Sequence, residues 1–237
     1  MAEPYLECPR HWRRASLEPE QGGGVILRVE SGGTPSTSQA KHWDGEIPFL
    51  TPKDIAGREL TASPYVSRTE RSITPSGLAS TGSKLFPPGT VMLSKRAPVG
   101  AVAINAVPMA TNQGFLNFTC GPLLRPLYLA YWLLANRPYL DLVANGSTYP
   151  ELYRSDLFEF EIAVPLLEEQ DDIIAFLEAL SLVKCLGSSL EATAASLAAR
   201  SDLQRQRQRL AQLSEDVLPA VLSGKLAVPA ATRLKTS

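Results

Sequence analysis

Histidine occurs twice in this chain and cysteine three times, and neither residue clusters. His11 and His42 stand at metal-ligand spacing with no cysteine and not with each other. Cys8, Cys120 and Cys185 lack both the close pairs of a zinc site and the even framework of a disulfide scaffold. Long apolar runs are missing too. Even LYLAYWLLA, residues 127–135, gives way to Asn136-Arg137-Pro138, far short of the roughly 18 residues that span a membrane. The opening MAEPYLECPRHWRR is charged and has no signal-peptide core, so the expectation is a cytoplasmic protein without a membrane segment. Charge of one sign is also lacking, with 23 Lys and Arg against 24 Asp and Glu and a net charge of -1. No global basic field advertises nucleic acid, and DNA contact would have to come from a local patch.

The absences extend to catalysis. No G-x-S-x-G context surrounds a serine. Gly22-Gly23-Gly24 precedes the apolar run VILRV instead of following a strand, and GGTPS at 32–36 lacks a P-loop lysine and a third glycine, so both read as turns. Asn136-Arg137-Pro138-Tyr139 falls one residue short of the Asn-Pro-Pro-Tyr signature of DNA amino-methyltransferases, and no strand-glycine-loop unit for S-adenosylmethionine precedes it. Glu159 and Glu161 alternate along FEFEIAV, which predicts one strand face carrying both carboxylates and the other carrying Phe158 and Phe160, with no chemistry implied.

What is present divides the 237 residues into one globular domain and an appendage. Glycine and proline punctuate the first two thirds, between short β-rich runs: GGVILRV, TVMLSKRA, GAVAINAV, GFLNFTC and FEFEIAVP. A helix is predicted over 126–142, entered at Pro126 and ended or kinked at Pro138. The reading is α+β: a mixed α/β domain at 1–165, a long helical region at 166–226, and a flexible tail at 227–237.

Beyond Pro165 proline disappears until Pro219, and Ala, Leu, Glu, Gln and Arg dominate. Apolar residues recur at seven-residue steps, at Phe176, Val183, Leu190 and Leu197, then one residue out of phase at Leu203, Leu210 and Val217. A continuous helix of about 55 residues would reach roughly 80 Å and would need a partner helix to cover its stripe. A hairpin turning near Gly187-Ser188-Ser189 or Ser201 would cover it within one chain. Both arrangements fit the pattern.

Two polar features remain. From Arg68 to Arg96 the chain carries Arg68, Arg71, Lys84, Lys95 and Arg96 against Glu70 alone, either a phosphate-binding patch or a solvated face. The stretch 31–54, SGGTPSTSQAKHWDGEIPFLTPKD, is too irregular for a helix and too punctuated for a strand. It reads as a shaped loop, and Trp43, Ile47, Phe49 and Leu50 look like anchors that pin it to the core.

The same stretch, SGGTPS followed by HWDGEIPFLTPKDI, resembles the opening of the target-recognition domain in specificity (S) subunits of type I restriction-modification systems. SRTERSITPSGLASTGSKLFPPGTVMLSKRAPVGAVAI resembles the second block of that family, TNQGF at 111–115 the third, and NGSTYPELYRSDLFEFEIAVPLLEEQ the last. RLAQLSEDVLPAVLSGKLAVP is similar to the way the family's conserved helix ends. Full S subunits carry two such units in tandem, and this chain resembles one.

The resemblance implies a DNA-binding subunit that does no chemistry and tells a modification (methyltransferase) subunit, and through it a restriction subunit, where to act. It implies no cofactor on this chain, with S-adenosylmethionine on the modification subunit. One unit implies one half-site, so a homodimer or a pair with another S-type chain would read a bipartite duplex target, joined through the apolar positions from Phe176 to Val217. The implied DNA-binding candidates are Thr34, Ser36, Lys41 and Lys53 on the opening stretch, then Arg68, Lys84, Lys95 and Arg96, then Asn112, Gln113, Thr148 and Tyr149. Such hydroxyl, amide and cationic groups grip phosphates or read base edges, or else cap turns and frame the fold. Two other readings stay open: a separately encoded recognition half of a methyltransferase or endonuclease, and a helical adaptor without DNA specificity.

Overall fold

A computed structural model describes residues 8–20, 24–56, 64–96, 98–144, 151–179 and 217–223. In chain order the elements are β1 (Arg13–Ser16), β2 (Ile26–Ser31), a 3-10 turn (Ala40–His42), β3 (Trp43–Leu50), α1 (Pro52–Ile55), β4 (Tyr65–Val66), β5 (Arg71–Ile73) and α2 (Pro75–Ala79). There follow β6 (Val91–Ser94), β7 (Val102–Asn105), β8 (Ala110–Thr111), β9 (Phe115–Cys120), α3 (Pro126–Ala135), α4 (Arg137–Ala144), α5 (Arg154–Phe158) and β10 (Glu161–Val164). A further helix occupies 167–179, and a helical turn occupies 217–222.

Side-chain alternation sets the layers. The main sheet has the order β2-β9-β6-β7-β4, and all four residues of its central strand β6 are buried. Val91 and Leu93 join a large core with Ile104, Leu116 and Phe118, whereas Met92, Ala103 and Phe115 point the other way into a smaller one. A sheet buried on both faces has no polar side, so its strands read as continuous apolar runs in the sequence.

The large core is roofed by α3, in which every residue from Leu127 to Leu133 is buried. The smaller core is closed by a second sheet of order β5-β3-β8, whose Leu50 faces inward while Phe49, with Trp43, Ile73 and Ala110, forms a third cluster on its outer face. A two-stranded ribbon, β1 with β10, ties the start of the domain to its end through four antiparallel pairs from Arg13–Val164 to Ser16–Glu161.

Three expectations need correction or refinement. Residues 43–50 do form a strand, despite Gly45 and Pro48. The irregularity is taken up by a register shift between Trp43 and Ile47 and by Asp44 at φ 58, and Gly45 sits where a Cβ would stand 2.6 Å from the Ile73 carbonyl oxygen. Because β8 pairs with β3 only at Phe49 and Leu50, the ladder is one-sided where Pro48 stands.

The helix expected over 126–142, ended or kinked at Pro138, is interrupted beside that residue and resumes as a second helix. Asn136 caps α3, its side chain donating to the Trp132 carbonyl at 2.8 Å, and Pro138 lies in the first turn of α4, where a missing N–H is no loss. The strand expected over FEFEIAVP begins only at Glu161. Phe158 ends α5, a helix started by the Asp156 carboxylate accepting from the Tyr153 N–H at 2.9 Å, so Glu159 and Glu161 do not share a strand face.

The helix at 167–179 is bonded to the domain through Gln170, which is fully buried. Its Oε1 accepts from Arg125 N at 2.8 Å, and its Nε2 donates to the carbonyls of Leu123 and Pro165, each at 2.9 Å. Arg125 and Asp171 add a fork-on-carboxylate pair at 2.8 and 2.7 Å. Ile173 and Leu177 enter the large core, and so do Val221 and Leu222. Most of the long helix expected over 166–226 falls on 180–216 and 224–226, outside the described residues. Phe176 and Val217, assigned to a partner helix, pack against this chain's own core. Val183, Leu190, Leu197, Leu203 and Leu210, with the tail at 227–237, lie outside the described residues.

Candidate nucleic-acid interface

The first three recognition blocks converge on one end of the sheets. Leaving β2, the chain passes Gly32, where a Cβ would fall 2.1 Å from the Thr111 carbonyl oxygen, and only glycine allows that approach. Gly33 N then donates to the same carbonyl at 3.0 Å. Next, the Thr34 hydroxyl donates to the Gln113 side-chain oxygen. The turn after α2 joins them, its Ser83 hydroxyl donating to Thr111 O at 3.5 Å. Asn112 turns its Oδ1 inward to accept from Gly114 N at 2.9 Å, and Gly114 O receives Lys95 N at 2.8 Å. The structure thus brings together Thr34, Asn112, Gln113, Lys84 and Lys95. Asn112 serves as a turn cap there, as its alternative reading allowed.

The cations in this region are mostly neutralised. Lys84 pairs with Glu30, and Lys53 Nζ lies 3.0 Å from the Glu70 carboxylate. A single oxygen of Glu151 takes Lys95 Nζ at 3.1 Å and Arg96 Nη2 at 2.7 Å. These contacts hold the Glu151 carboxyl below its ordinary range: the Arg96 hydrogen bond acts most strongly, burial opposes it, and Lys95 adds to the lowering. Among the described residues, Lys41 and Arg68 are exposed and have no carboxylate partner. Ser36 and Ser38 are exposed and share a hydrogen bond at 2.8 Å. Thr148 and Tyr149 lie outside the described residues, although Ala144 and Glu151, on either side of them, are joined by a backbone bond at 3.3 Å.

Sequence reasoning missed the counter-ions. Glu30 and Glu151 carried no signal and Glu70 only counted as one acid among five cations, because each lies far along the chain from at least one of its cations and only the fold pairs them. It also passed over Arg71 as a single site. The Arg71 guanidinium lies 3.6 Å from the centroid of the Trp43 ring. Trp43 in turn donates its Nε1–H to Ser36 O at 3.1 Å and packs edge-on against Phe49 at 5.5 Å.

Among the described residues no group of three or more His, Cys, Asp or Glu could hold a metal ion, and no helix is long and apolar enough to cross a membrane. Burial pushes the Cys8 thiol up to about 11 and the Cys120 thiol up to about 12, which keeps both protonated and poor as nucleophiles. The arrangement offers hydroxyls, amides, backbone N–H groups and tethered cations on one surface, the repertoire for holding a polyanion.

The family described as type I restriction modification DNA specificity domain matches residues 24–185. The chain is 42% identical over 154 residues to the type I restriction enzyme MjaIX specificity subunit of Methanocaldococcus jannaschii, covering 64% of this chain and 35% of that protein. It is 29% identical over 163 residues to the EcoR124I/EcoR124II specificity subunit of Escherichia coli, covering 65% and 39%. Its fold is similar to that of the HsdS subunit from Thermoanaerobacter tengcongensis, with a TM-score of 0.54 at 21% identity over 94% of this chain and 48% of that one. A chain from a solved type I R-M system gives a TM-score of 0.54 at 22% identity over 94% and 49%. The chain therefore spans between about a third and a half of the length of these relatives.

Proposed function

The chain belongs to the type I restriction modification DNA specificity domain family, and from that premise we propose that it reads one half of a bipartite duplex DNA target for a methyltransferase. It does no chemistry itself. The observation that carries this reading is the meeting of the three blocks at Gly33, Thr34, Ser83, Thr111 and Gln113, which builds one polar surface from segments distant in sequence.

Backbone N–H groups, hydroxyls and the exposed Lys41 and Arg68 position the phosphates. Lys53, Lys84, Lys95 and Arg96 reach phosphates by exchanging carboxylate for phosphate oxygen. Because these four cations have a protein partner until DNA arrives, their weak contacts with arbitrary sequence are held down, consistent with a net charge of -1.

One recognition domain reads one half-site, so a second is needed for a bipartite target, either another copy or a different S-type chain. The seven-residue apolar spacing from Val183 to Leu210 supports pairing through that segment. A modification subunit docks on the assembly, binds S-adenosylmethionine and flips the target base, and a restriction subunit joins through it. The absence of a long apolar helix among the described residues is compatible with a cytoplasmic complex.

The test is methylome sequencing of a host expressing this chain with its neighbouring modification gene, beside a host lacking the chain. A bipartite motif that vanishes on deletion is the expected result, palindromic for a homodimer and asymmetric for a mixed pair. An unchanged methylome would overturn the reading.

A further inference from the structure

Four of the six cations assigned to the interface hold carboxylates, but Arg71 holds none among the described residues. Its planar guanidinium lies 3.6 Å from the Trp43 ring centroid, and the side chain is exposed. The indole beneath it is fixed. Trp43 is 8% exposed, bonded through Nε1 to Ser36 O and braced edge-on by Phe49. The backbone at Arg71 is fixed as well, because it pairs with Phe49 across the β3–β5 ladder and its carbonyl accepts from the Thr69 hydroxyl at 2.6 Å.

A guanidinium laid on an aromatic ring keeps its N–H donors at its rim, directed away from the ring, and loses little side-chain freedom when it binds. Two parallel donors on a rigid plane suit an acceptor with two oxygens or nitrogens at matching spacing. On duplex DNA, the base edge with that geometry is guanine, which presents O6 and N7 side by side in the major groove.

We infer that Arg71 reads one guanine of the target, with Trp43 as the platform that aims it. The inference rests on the DNA-recognition reading above. The surface around the platform suits the role: Ser36 and Ser38 lie beside the indole, and Lys41, free of a carboxylate, supplies a phosphate contact that sets the register. Arg71 contributes the direction-dependent fork, and its neighbours contribute sequence-independent grip. A lysine at 71 would keep the charge and lose the fork, which separates base reading from phosphate contact.

The experiment is methylome sequencing of hosts carrying the full chain with its modification partner, as wild type, Arg71→Lys and Arg71→Gln. The fraction modified is scored at sites differing by one base from the wild-type motif, and thermal unfolding of each purified chain checks the fold. Both variants are expected to keep the motif except at one guanine, where discrimination on the order of tenfold falls to near none. Unchanged discrimination at every guanine in a folded Arg71→Lys chain overturns the assignment. So does a uniform fall in modification with preferences intact, which marks a phosphate contact. A wild-type motif without guanine also overturns it. A wild-type chain that directs no motif overturns the recognition reading itself, and the assignment with it.

Discussion

Replacing Glu151 by glutamine keeps the shape of the side chain and removes the one negative charge that Lys95 and Arg96 share. The Arg96 side chain is 49% exposed, so solvent screens its contact to about 0.5 kcal/mol. Lys95 and Glu151 are 15% and 16% exposed, and their charge-assisted bond contributes about 1–2 kcal/mol. Glutamine retains an acceptor, so the net loss expected at neutral pH is about 1–2 kcal/mol. For a chain of this size that lowers the unfolding temperature by about 2–8 °C.

The pH dependence gives a second reading of the same latch. Since Arg96 and Lys95 hold the carboxyl below its ordinary value of 4.5, the stability they confer is complete above that pH and is lost as pH falls through the lower value of the folded state. Wild type and Glu151→Gln should therefore converge on acidification. Unfolding curves measured by circular dichroism across neutral to acidic pH test this, and parallel curves with no offset refute the latch. DNA binding adds an independent arm: with no carboxylate to displace, the two cations should hold DNA more tightly in Glu151→Gln at the same number of phosphate contacts. An affinity no higher than wild type refutes Lys95 and Arg96 as phosphate contacts even if the latch is real.

Three further outcomes follow from buried geometry. Gly32→Ala drives a Cβ into the Thr111 carbonyl oxygen 2.1 Å away, so the loop shifts or the fold loses about 2–3 kcal/mol, seen as earlier urea unfolding and lower DNA affinity. Gln170→Leu strips partners from Arg125 N and the Leu123 and Pro165 carbonyls, and about 2–4 kcal/mol of stability should disappear. Cys120, half-buried and pushed up to about 12, should react with iodoacetamide at pH 8 far more slowly in the native chain than in denaturant, and per-site mass spectrometry reads this directly.

On the proposed DNA-reading role, the pairing of Glu151 with Lys95 and Arg96 bears on how affinity would be set. Cations presented bare would bind any duplex, because the phosphate term carries no sequence information. Cations presented with a tethered carboxylate engage only when enough other contacts form to displace it. Lys41 and Arg68 have no such partner among the described residues, and Arg71 differs again in being held by a ring that a base edge need not displace.

The sequence by itself determined the order of the blocks and the location of most β-rich runs, because alternating and continuous apolar patterns are local and survive without a partner. VMLS, AVAIN and GFLNFTC are strands where those patterns placed them. Local punctuation misled where a neighbour repaired it: β3 tolerates Gly45 and Pro48 because a bulge and a one-sided ladder absorb them, and Phe158 falls at the end of a helix that Asp156 starts. Only the tertiary structure decided which cations are free, since Glu30, Glu70 and Glu151 meet Lys84, Lys53 and Lys95 through packing and not through spacing. It also decided that Arg71 lies on Trp43. The reason is physical: hydrophobic periodicity is written residue by residue, whereas an ion pair or a ring stack exists only when the fold has brought two distant side chains within a few ångströms.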